Sequence, residues 1–93
     1  MNVLIITKYK NPDEWFRLSG DYVKPFYDRV MEIVPKFSRN YIAREKVWHI
    51  KPWYFSKIFE LAYQYYDRID EWDGVNAPYD HGTLYIYNTK KRA

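Results

Sequence analysis

The sequence predicts an α+β domain in two layers, with two helices packed on one face of a small mixed or antiparallel sheet, in the order β-(β)-α-β-β-α-β. Three observations carry this. Apolar residues recur at helical spacing in two separate stretches, short β-prone runs flank each stretch, and each helical stretch has a single apolar face. Two helices of that kind must cover the same side of a sheet, which leaves the other side to solvent or to a partner. A chain of 93 residues suits one domain, spanning 1–93, and its 47% hydrophobic content supplies a core.

Asn2 to Tyr9 reads as the first strand, because Val3-Leu4-Ile5-Ile6 is apolar on both faces as a central strand would be. Asn11-Pro12-Asp13 is a turn signal, and Glu14 to Leu18 is the bracketed second strand, with Phe16 and Leu18 on one side. Ser19-Gly20-Asp21 breaks that strand and offers capping oxygens. The first helix is expected from Asp21 or Tyr22 to Val34, on the spacing of Val23, Phe26, Tyr27, Val30, Ile33 and Val34. Pro25 is tolerated there only in the first turn, and Pro35 ends the helix.

A hairpin follows. Arg39-Asn40-Tyr41-Ile42 is one arm and Val47-Trp48-His49-Ile50-Lys51 the other, joined by Ala43-Arg44-Glu45-Lys46; without a Gly, this turn favours type I over the primed types. Trp48 and Ile50 share the face expected to meet the helices. Pro52 opens the second helix, whose buried stripe is expected to run through Phe55, Ile58, Phe59, Ala62, Tyr65, Tyr66 and Ile69, with Leu61 and Tyr54 at its boundary. Asp70 to Thr83, with Gly74, Pro78 and Gly82, reads as a loop, and Leu84-Tyr85-Ile86-Tyr87 as the last strand.

Charge is distributed unevenly. Residues 36–57 hold six basic side chains against Glu45 alone, whereas residues 58–89 hold six acidic ones against Arg68 alone. Residues 88–93 read as a flexible basic tail carrying Lys90, Lys91 and Arg92, which adds unspecific affinity for phosphate. The six residues Arg39, Arg44, Lys46, Lys51, Trp53 and Lys57 come from the hairpin and the start of the second helix, and they are the expected ligand face. Cations there attract phosphates, and exposed aromatics stack on bases.

Other chemistries find little support. There is no Cys, hence no disulfide and no thiolate metal site. Of the two histidines, His49 reads as a sheet-surface side chain and His81 as a loop residue. Asp70-Glu71-Trp72-Asp73-Gly74 fails as a calcium loop, since Ile69 stands where the first ligand belongs; Asp70, Asp73, Asp80 and His81 make no convincing metal set. No nucleotide-binding or nucleophile motif is present, so neither an enzyme nor a cofactor is expected. Val3 to Ile6 is too short for a leader or a membrane span, so an intracellular location without membrane contact is expected, in host cytoplasm if the protein is viral.

The hairpin resembles a known module. Ile33-Val34-Pro35 ends a helix, Ser38-Arg39-Asn40-Tyr41 follows, and after six residues comes Trp48, then an amphipathic helix. This is similar to the HARP domain, the DNA-binding module beside the motor of Swi/Snf-type annealing helicases, over residues 14–66. Pro35, Arg39, Tyr41 and Trp48 are the matching positions, and Glu14 to Leu18 would match that module's first strand. The resemblance implies the α/ββ/α arrangement and contact with nucleic acid. Because the chain lacks a motor, it also implies an accessory or viral protein.

Two functions stand open on the sequence. One is a nucleic-acid-binding accessory domain that holds the phosphate backbone through its basic hairpin. The other is a protein-binding module or inhibitor docking through its aromatic surface, since 22% of the residues are aromatic and 11 are Tyr. Exposed aromatics and a free sheet edge also allow a homodimer.

Overall fold

The computed structural model describes residues 1–76 and 81–89. Six strands form one mixed sheet: β1 (Val3–Tyr9), β2 (Phe16–Gly20), β3 (Arg39–Ile42), β4 (Val47–Ile50), β5 (Arg68–Val75) and β6 (Thr83–Asn88), in the order β3-β4-β2-β1-β5-β6. All neighbours run antiparallel except β1 and β5, which are parallel. Helices α1 (Lys24–Ile33) and α2 (Phe55–Tyr65) cover one face. The two-layer α+β architecture is therefore as the sequence predicts.

The pleat explains which residues form the core. Leu4 and Ile6 of β1, Phe16 and Leu18 of β2, Ile50 of β4 and Ile69 of β5 point to the helix layer, where they meet Phe26, Val30 and Val34 from one helical segment and Ile58, Leu61 and Ala62 from the other. Burying each of these Val, Leu, Ile and Phe side chains contributes about 1.5–3 kcal/mol. Leu61, expected at the boundary of the α2 stripe, lies fully in this core. Trp48 shares the face of Ile50 and packs half-buried at the rim.

Four expectations need correction. Asp70 to Val75 is strand rather than loop, because β5 is paired on both sides, by β1 and by β6. Its charges are accommodated by alternation: Asp70 faces outward and is gripped by Arg68, whereas Glu71 points inward, 3.8 Å from Lys8 Nζ. Of the rest of the expected loop, Thr83 opens β6, and 77–80 lie outside the described residues. Secondly, α2 stops at Tyr65, since Tyr66 is extended and its hydroxyl donates to the Asp21 carbonyl at 2.7 Å, so Ile69 belongs to β5 and not to a helical stripe. Thirdly, Ser19 and Gly20 continue β2 instead of breaking it. Finally, α1 begins at Lys24 with Pro25 in its first turn; Val23 is the N-cap, and the Asp21 carboxylate accepts the Val3 N–H at 2.8 Å instead of capping the helix.

At the C-terminal end, Asn88 closes β6 and Thr89 is buried, its hydroxyl bonded to the Tyr66 carbonyl and its N–H donating to Asp67 O at 3.1 Å. Ordered structure thus reaches into the segment expected as a free tail. Lys90, Lys91 and Arg92 lie outside the described residues.

Candidate functional site

The hairpin tip builds the first part of the site. Ile42 O accepts the N–H groups of Glu45 (3.2 Å) and Lys46 (2.8 Å), and Lys46 takes a left-handed backbone, φ 58°. That conformation ends the turn and returns the chain to β4 beneath Tyr41, the cross-strand neighbour of Trp48. Between this tip and α1 lies a cavity of about 390 Å³, lined by Tyr22, Tyr27, Tyr41, Trp48 and Lys46 together with Ser19 and Gly20. Two ring pairs shape it: Tyr22 lies parallel to Tyr27 at 5.4 Å, and Tyr41 tilts on Trp48 at 4.9 Å. Tyr27 is fixed from below; burial pushes its hydroxyl up to about 12, partly offset by a hydrogen bond to Tyr66, so it stays protonated.

Among the described residues, no carboxylate lines this cavity. The one acid of the hairpin, Glu45, is drawn to the open side of the sheet, where the Arg17 guanidinium holds it while also donating to Tyr9 Oη at 3.2 Å. Arg44 and Lys46 remain exposed and make no ion pair among the described residues. The tip therefore sets two exposed cations, one of them lining the slot, beside a cluster of aromatic rings.

The six expected ligand residues do not form one patch. Arg44 and Lys46 sit together at the tip. Arg39 turns inward and donates to the carbonyls of Met31 and Val34 at the end of α1, a structural role. Lys57 lies across the helix layer, in a shallow groove with Arg29, Glu60 and Gln64. Lys51 and Trp53 sit at the opposite end of β4 from the tip. There Lys51 Nζ lies 4.9 Å from the Trp53 ring centroid, 5.5 Å from Phe37 and 5.7 Å from Trp15. Phe37 is 76% and Trp53 70% exposed.

Sequence reasoning missed Tyr22, Phe37 and Trp15. The signal was present: Trp15 and Tyr22 stand just before a strand and a helix, and Phe37 in a short turn, where no core stripe claims them. His49 stands on the open face opposite Arg17 and Asn40, with Nε2 enclosed and unbonded. Burial, followed by the charge of Arg17, lowers its pKa and favours the neutral ring. Among the described residues no group of three or more His, Asp or Glu side chains is placed to hold a metal ion, and no helix is long and apolar enough to cross a membrane.

No protein-family model matches the chain, and neither a curated protein nor a solved structure matches it.

Proposed function

We propose that this domain is a small nucleic-acid-binding accessory module that grips phosphate and an unstacked base at the tip of the β3–β4 hairpin. The observation that carries the reading is the tip cavity: aromatic walls, Lys46 at the rim, no acid among the described residues, and the neighbouring Glu45 held away by Arg17. Its volume of about 390 Å³ falls at the small end of ligand pockets, suited to one flat ring. Stacking a base on an aromatic side chain contributes about 1–3 kcal/mol, and each cation on a phosphate adds a salt-dependent increment. The resemblance to the HARP domain points the same way, since Tyr41 and Trp48, two of its matching positions, line the slot.

The test is an anisotropy titration with labelled oligonucleotides over a salt range, on the wild type and on Arg44→Ser/Lys46→Asn. Asn is chosen at 46 because it tolerates the left-handed backbone. The variant should fold normally, bind more weakly to every sequence, and show a salt slope flatter by about 1.5. Equal binding by both proteins would remove the basis for this reading.

A second reading, docking of a protein partner, is favoured by β6. This edge strand exposes Leu84, Tyr85 and Ile86 and carries no charge. Salt-insensitive binding that survives the tip substitutions but is lost on Ile86→Lys would favour it.

A further inference from the structure

The cluster at the other end of the hairpin has no evident structural task. Trp15 precedes β2, Phe37 lies in the 3-10 turn Lys36–Ser38, and Trp53 lies in the 3-10 turn Pro52–Tyr54; all three rings converge on Lys51 Nζ. None of the three belongs to the buried core, and two are more than two-thirds exposed. A small domain gains little from holding two large apolar rings in water, so their exposure calls for a ligand. Lys51 makes no ion pair among the described residues, and its ammonium is kept among ring faces rather than beside a carboxylate. Its backbone N–H donates to Ser38 O at 3.0 Å, which ties the two 3-10 turns to one another and fixes the spacing of the rings. Ring faces with a cation among them match the chemistry of a nucleotide, which presents a π-face and a phosphate together.

We propose that Trp15, Phe37 and Trp53 around Lys51 form a second nucleotide site, and that the ligand of this domain is consequently single-stranded nucleic acid held at both ends of the hairpin. The proposal rests on the nucleic-acid reading of the tip. The strandedness follows from access: in a duplex, base faces are stacked on one another, and the protein meets phosphates and groove edges, not π-faces. Exposed ring faces are of use only to bases that have left a stack. Lys46 and Lys51 stand five positions apart on an extended chain, a separation of roughly 17 Å. That corresponds to about five nucleotides at the ~3.4 Å spacing of a stacked strand, so a trinucleotide reaches one site and a longer strand reaches both.

Phe37→Ala/Trp53→Ala tests this, with fluorescein-labelled oligo-dT and oligo-U of about twelve nucleotides, a trinucleotide, and a fully paired DNA hairpin as probes. The expected result is a loss of about 10- to 100-fold on the long single strands, with affinity for the trinucleotide and the duplex unchanged. The oligo-dT and oligo-U arms separate DNA from RNA as the source. Phe37→Leu/Trp53→Leu keeps the apolar bulk and should show the same loss, which sets stacking apart from folding; thermal melts of both variants should match the wild type. Unchanged affinity for the long strands, or an equal loss on the duplex, would overturn the proposal. If the alanine variant binds normally while Arg44→Ser/Lys46→Asn does not, only the second site fails. If the wild type binds no oligonucleotide, the reading of the tip fails with it.

Discussion

The guanidinium of Arg39 donates to the carbonyls of Met31 and Val34, at the end of α1 where the last carbonyls lack helical partners. A cation there also meets the negative end of the helix dipole. Arg39→Ala should therefore lower stability by about 1–3 kcal/mol in a urea melt while leaving oligonucleotide affinity unchanged. An unaltered melt accompanied by weaker binding would return Arg39 to the ligand face. From sequence, Arg39 is indistinguishable from Arg44, because both are basic residues of one hairpin; only the direction of the side chain separates helix end from ligand rim. Glu71 shows the converse. It reads as one of many surface acids, yet it is buried, with Lys8 Nζ at 3.8 Å and its carboxylate raising the pKa of Tyr87 behind the effect of burial. Local composition carries no information about a partner supplied by β1, far along the chain.

Among the elements, those with strong periodicity were legible and those defined by pairing were not. The α1 stripe, the two arms of the hairpin and the central position of β1 follow from apolar spacing, as does the α2 stripe apart from Leu61, Tyr66 and Ile69. The strand β5 does not, since its Asp, Glu and Gly residues resemble a loop until two neighbours supply its ladder. Gly20 reads as a breaker for the same reason. It lies in β2 at φ 96°, and a Cβ there would stand 2.5 Å from the Val3 carbonyl oxygen. Gly74 has a similar backbone, φ 78°, but among the described residues a Cβ would meet only the Lys10 side chain, at 3.9 Å. Gly20→Ala should accordingly cost well over 2 kcal/mol, as strain and collision add, and Gly74→Ala about 1 kcal/mol from strain alone. Matched thermal or urea melts check the ordering; equal effects would show that the β1–β2 approach is not tight.

At the scale of the molecule, one sheet face is filled by helices and the other is open, and the two edges differ. The β3 edge carries the hairpin with its basic tip, while the β6 edge is uncharged and exposes Leu84 and Ile86. Net charge was legible, but its convergence was not: the six residues expected as one face divide among the tip, the Lys51 cluster, the end of α1 and the outer side of α2. What sequence spacing lacks is the direction of each side chain, which takes Arg39 to the end of α1 and Lys57 to the outer side of α2. On the proposed function, the hairpin and not the β6 edge receives the nucleic acid. Amide chemical-shift mapping of the ¹⁵N-labelled protein with single-stranded oligo-dT tests it most directly. The largest shifts should fall on Tyr22, on Tyr41 to Trp48, and on Phe37, Lys51 and Trp53, with Thr83–Asn88 unmoved. Shifts confined to Thr83–Asn88, or no shifts at low salt, would contradict the account.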